Sequence, residues 1–148
     1  MHFSVQQTLD APRQALFDVI SDPRRRLEWQ SSLRSLQIET EGPPGLGTRW
    51  SEVTQGGIRF AMEITAYEAP ARWAERARGW LADAELMVSF HEAGAGRETR
   101  VEVEVSIAFK GPFKVLGPVV RRFMPSALAK DVQRAGTLAR GVSPRNSE

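Results

Sequence analysis

Cysteine is absent from this chain of 148 residues. That excludes a disulfide framework, a thiol nucleophile and any cysteine-ligated metal centre. Histidine is nearly absent, with only His2 and His91. No His-x-x-x-His pair exists to hold a zinc ion on one helical face, so no metal site is expected. A Ser-His-Asp triad would have to draw on one of those two histidines, and no Gly-x-Ser-x-Gly elbow accompanies them. Long apolar runs are also missing, and none approaches the length of a membrane span. The opening residues Met1 to Gln7 lack the basic start and apolar stretch of a signal peptide. The expectation is a cytoplasmic protein. The glycines form no phosphate-binding loop, because Gly94-Ala95-Gly96 precedes a strand pattern rather than a helix. No cofactor is expected.

A strong charge of one sign is lacking overall, with 20 Lys/Arg against 18 Asp/Glu. The balance hides an asymmetry. From Lys110 onward eight basic residues (Lys110, Lys114, Arg121, Arg122, Lys130, Arg134, Arg140, Arg145) stand against Asp131 and Glu148. No aromatic ladder interleaves these charges, so nucleic acid is not an expected partner. A basic helix can rest weakly on an anionic membrane surface, and a plain solvated face explains the same residues.

What is present is a long series of strand patterns followed by one apolar helical stripe. Phe3, Val5, Gln7 and Leu9 alternate as a first strand. Asp10 and Asp22, each followed closely by proline, read as caps of two short helices, the second running through Trp29. Six further strands are expected: around Leu36 and Ile38, then Thr48 to Thr54, Ile58 to Ile64, Trp73 to Arg78, Trp80 to His91, and Val101 to Phe109. Gln55-Gly56-Gly57 and the stretch Glu92 to Gly96 supply hairpin turns. In the last strand Val101, Val103, Val105, Ile107 and Phe109 point one way and Arg100, Glu102, Glu104 and Ser106 the other. That is an antiparallel sheet with one wet face.

From Phe113 the residues Val115, Leu116, Val119, Val120, Phe123, Met124, Ala127, Leu128 and Val132 recur at helical spacing. Gly117-Pro118 and Pro125 interrupt the pattern, which predicts a short piece, a kink, and a main helix from about Pro125 to Ala139. A lone amphipathic helix is marginal in water, so this one must cover the sheet. One helix held in a curved sheet is a container. Residues 1–140 read as a single domain, and 141–148 as a polar tail.

Several local features add a resemblance. Leu9-Asp10-Ala11-Pro12 is followed by Leu16-Phe17-Asp18-Val19-Ile20-Ser21-Asp22, and then by Trp29. Pro44-Gly45-Leu46-Gly47-Thr48 precedes the third strand. Tyr67-Glu68-Ala69-Pro70-Ala71-Arg72 and Gly94-Ala95-Gly96-Arg97-Glu98-Thr99-Arg100 follow in order. The chain resembles the START/Bet v 1-like (SRPBCC) superfamily, in particular its polyketide cyclase/dehydrase and lipid-transport members. The resemblance implies an α+β helix-grip fold: a curved antiparallel sheet of about seven strands wrapped around a long C-terminal helix, with two short helices after the first strand. It also implies a cavity for a hydrophobic small molecule, and no particular activity.

Strand phase selects the candidate lining. Gln7, Phe60, Met62, Leu86, Val88, Phe90, Val103 and Val105 fall in the inward phase, and Val120, Phe123 and Met124 on the helical stripe. Trp50 and Trp73 belong on the buried side of their strands, which drags Glu52 and Glu75 inward with them. Two carboxylates in an apolar cavity suit general acid–base work. They can equally pair with an arginine or sit at a wet cavity mouth. Gln7 can bond a ligand or a backbone group. The leading expectation is a binding or carrier protein for a lipid, quinone or polyketide type of molecule. The alternative is a cyclase/dehydrase-like enzyme using Glu52 and Glu75.

Overall fold

A computed structural model describes residues 1–141; the tail expected beyond them lies outside the described residues. Strand β1 (His2–Leu9) is followed by α1 (Arg13–Ser21), a 3-10 turn (Pro23–Arg25) and α2 (Arg26–Trp29). Six strands then form a meander: β2 (Leu33–Ile38), β3 (Arg49–Thr54), β4 (Arg59–Glu68), β5 (Arg72–Arg78), β6 (Ala82–Ala93) and β7 (Glu98–Phe109). A second 3-10 segment (Gly111–Leu116) leads into α3 (Gly117–Ala139). The sheet is antiparallel throughout in the order β1-β7-β6-β5-β4-β3-β2, so β1 lies beside the last strand. This is the α+β helix-grip architecture.

The strands form where the sequence alternates, and alternation decides what is buried. In β7, Val101, Val103, Val105 and Ile107 are buried while Glu104, Ser106 and Ala108 are exposed. Pairing shifts between Leu33 and Ser35 in β2 and between Ile64 and Ala66 in β4. Bulges of this kind bend a strand and raise its twist, which lets the sheet wrap around α3. The Gly57 turn between β3 and β4 needs glycine, since its φ is +83°. At the helix end nearest the C-terminus, Ala135 is fully buried and Gly136 sits against Leu9, where an added Cβ would lie 3.4 Å from the leucine side chain.

Three local expectations need correction. Asp10 does not cap α1, because Pro12 fixes the extended residue before the helix and no side chain caps it. Asp22 does cap, accepting from the Arg24 amide at 3.0 Å. Strand β6 begins at Ala82 rather than Trp80, which lies in an exposed bend. The last helix is one element of 23 residues rather than pieces broken at Pro118 and Pro125. Pro118 occupies the first turn, where its missing N–H leaves no intrahelical bond unmade. Pro125 lies inside, where only the Arg121 carbonyl loses a helical donor.

The helical stripe also divides. Val120, Met124, Leu128 and Val132 turn toward the sheet, while Val115, Leu116, Val119 and Phe123 are exposed. Val119 and Phe123 each precede a sheet-facing residue by one position, about 100° around the helix.

Candidate functional site

Between α3 and the concave face of the sheet lies a cavity of about 350 Å³. Its wall draws on β3 to β7, the α1–α2 region and α3. Much of it is apolar: Phe60, Met62, Trp73, Leu86, Val88, Val103, Val105, Val120 and Met124 all line it. Strand or helix phase predicts each of them there. Glu52 and Glu75 line it too.

Four candidates lie elsewhere. Gln7 donates its side-chain amide to the Ala129 carbonyl at 3.1 Å, tying β1 to α3 instead of facing the cavity. Trp50 is fully buried behind the wall, its indole N–H donating to Glu52 Oε1 at 2.9 Å. Phe90 packs edge-on against Phe17 of α1, with ring centroids 5.3 Å apart, because α1 fills that end of the sheet. Phe123 is 64% exposed on the outward stripe of α3.

The residue that phase reasoning did not reach is Arg26. Its side chain is buried, and its guanidinium makes a two-pronged pair with Glu75: Nη1 to Oε1 at 3.1 Å and Nη2 to Oε2 at 2.6 Å. Nη1 also donates to Gln30 Oε1 at 2.9 Å, and Glu52 Oε1 lies 4.0 Å away. The guanidinium carbon sits 5.1, 5.5 and 5.2 Å from the ring centroids of Trp29, Trp50 and Trp73. A cation in such an aromatic enclosure is attracted to the ring faces, and more strongly when water is excluded. Burial works against the charge on Arg26, but Glu75 and Glu52 outweigh it and raise its pKa, so it stays cationic.

The two carboxylates therefore differ. Both Glu75 oxygens are held by Arg26. Glu52 has Trp50 on Oε1, while Oε2 bonds to none of the described residues. Burial pushes the Glu52 pKa above the ordinary value of 4.5; Arg26 opposes this and the nearby Glu75 charge adds to it. Between the unfolded and the native pKa, the folded protein keeps a proton on Glu52 that the unfolded chain has released. Stability from this group is complete below about 4.5 and is lost as pH rises through the native pKa. Glu52→Gln is expected to flatten that decline, measured as urea midpoints across roughly pH 4 to 8.

The polar wall residues gather at one end. Arg26 bonds Gln30, Gln30 donates to Ser32 Oγ at 3.1 Å, and Asp131 of α3 accepts from the Ser31 amide at 3.2 Å. Arg134 closes this end from outside, donating to the Trp29 carbonyl at 3.0 Å and to Asp131 at 3.3 Å. The opposite end is lined by Leu81, Ala82, Ala84, Ile107 and Phe109, with Val120 and Met124 from α3. The wall is thus apolar over most of its extent and polar at one end.

Residues 1–140 match the family described as polyketide cyclase / dehydrase and lipid transport. The chain belongs to that family. Solved structures share its fold at low identity. A START superfamily protein of Mycobacterium smegmatis is 16% identical with a TM-score of 0.77, covering 96% of this chain and 99% of its own. The protein TTHA0849 of Thermus thermophilus is 17% identical with a TM-score of 0.77, covering 97% and 99%. A hypothetical protein of Helicobacter pylori reaches a TM-score of 0.80 at 13% identity, covering 95% and 88%. These likenesses speak for the fold alone. Among curated proteins none matches the sequence. No helix among the described residues is long and apolar enough to cross a membrane.

Proposed function

We propose that this family member binds a hydrophobic small molecule of lipid, quinone or polyketide type in the cavity. The observation that carries this reading is the wall itself, apolar over most of its extent and hydrogen-bonding at one end. The polar end also constrains the ligand. Arg26 and Glu75 neutralise one another, Asp131 is paired with Arg134, and burial pushes the Glu52 pKa up. A neutral polar group fits beside them better than a free carboxylate, which would meet Glu75 and Asp131.

Ala84 offers a test, because it lies between Ala77 and Ile107 on the cavity wall, where a larger side chain projects into open space. Native mass spectrometry and solvent extraction of the purified protein are expected to find a neutral apolar molecule. Ala84→Phe is expected to lose it while keeping a cooperative unfolding transition. An empty wild-type cavity that accepts none of a panel of quinones, acyl glycerols and aromatic ketones would sink the reading.

A second reading, cyclase/dehydrase-like catalysis, has one observation in its favour: a carboxylic acid with a raised pKa on the cavity wall. In that version Glu52 supplies the proton. Glu75, held on both oxygens, positions Arg26 and is not the matching base.

A further inference from the structure

We propose that the apolar end of the molecule docks on an anionic lipid bilayer, through the bend between β5 and β6, the 3-10 segment and the first turns of α3. Six apolar side chains gather in these segments. Trp80 is 62% exposed, Val115 77%, Val119 56% and Phe123 64%, with Leu116 at 37% and a half-buried Phe113. Trp80 and Phe113 stack edge-on with centroids 5.0 Å apart, joining the bend to the 3-10 segment. The bend is tight: a Cβ on Gly79 would come within 2.7 Å of the Phe60 ring. Burial inside the molecule does not explain these side chains, and exposed apolar groups clustered in this way mark interaction surfaces.

Charge names the partner. The side chains of Lys114, Arg121 and Arg122 are exposed and make no ion pair with any other described residue. By contrast Lys110 is taken up by Asp83 at 3.1 Å, and Arg134 by Asp131. Unpaired cations beside exposed Trp and Phe match an anionic headgroup layer, where indole rings settle at the interface and each cation adds attraction. Position favours a bilayer over an acidic protein. Trp80 directly precedes the cavity residues Leu81 and Ala82, and Val119 and Phe123 directly precede Val120 and Met124. A bilayer at this end would place acyl chains next to the apolar end of the cavity, so an apolar molecule would cross little water.

The four tryptophans make the test specific, since Trp29, Trp50 and Trp73 are buried and Trp80 is not. Acrylamide quenching of the whole protein therefore reports mainly on Trp80. Adding vesicles of equimolar phosphatidylcholine and phosphatidylglycerol is expected to protect it, and acyl chains brominated near the headgroup to quench it. Lys114→Glu/Arg122→Glu is expected to weaken vesicle binding more than about tenfold, as is raised salt. Trp80→Ser/Phe123→Ser is expected to weaken it with the salt dependence retained. Ala84→Phe should bind vesicles normally, which separates this surface from the contents of the cavity. The proposal is overturned if anionic vesicles leave Trp80 unprotected, or if phosphatidylcholine alone binds as well as the mixture. It is equally overturned if Trp80 is already shielded in the free protein by self-association, or is protected only by an acidic protein.

Discussion

Arg26→Met is expected to lower the stability of the protein by about 3–5 kcal/mol, the usual loss when one partner of a buried ion pair is removed. The substitution keeps much of the length of the side chain and deletes the charge and its donors. Glu75 then remains buried with no cation, Gln30 loses its donor, and three tryptophan faces lose the guanidinium between them. Glu75→Leu should cost less, because Glu52 at 4.0 Å remains as a counter-charge for Arg26. The double variant Arg26→Met/Glu75→Leu should recover most of the loss, since an apolar pair of similar volume often replaces a buried ion pair without penalty. Chemical denaturation of the wild type and these three variants gives the coupling directly. If the double variant is no more stable than Arg26→Met, the loss came from packing against the tryptophans rather than from an orphaned carboxylate.

Phe17→Ala is expected to cost about 3–5 kcal/mol, the range for removing a buried aromatic ring. Phe17 is fully buried on α1 and meets two rings edge-on, Tyr67 at 5.2 Å and Phe90 at 5.3 Å. These contacts join α1 to β4 and β6, and α1 also touches α3. Phe17→Leu should cost less, because most of the volume is kept. Since Phe90 and Phe17 lie off the cavity wall, occupancy of the cavity by a bound ligand should be unchanged in Phe17→Leu. A Phe17→Ala protein with an unshifted denaturation midpoint would show that this end of the sheet is not sealed by the aromatic trio.

Strand phase made much of the architecture legible, because a period of two leaves little freedom over which side chains face inward. The same logic carried Glu52 and Glu75 inward beside Trp50 and Trp73, and all four are buried. It failed for Arg26 because the residue sits in a run of three arginines, two of which are solvent-facing. A signal did exist: Arg26 stands three positions before Trp29, on the same face of a helical turn. A tryptophan that must be buried brings its helical neighbour with it, as Trp73 does for Glu75 on a strand. The outward half of the α3 stripe was unreadable for another reason. Helical spacing reports that two rows are apolar without saying that the sheet is wide enough to cover only one of them. The unbroken α3 escaped for a third, since two prolines announce a break yet one falls in the first turn, where helices accept it.

The place of β1 in the sheet has a consequence for how the chain assembles. From β2 to β7 each strand pairs with the next, so hairpins can form as neighbours in sequence appear. β1 is different: His2 pairs with Ser106 and Leu9 with Thr99. β1 is made before β7 and has no other partner in the sheet, so its apolar side chains stay uncovered until β7 exists. Closure of such distant pairings is entropically slow. The pairing of β1 with β7 thus closes the longest loop in the sheet and carries its largest entropic cost.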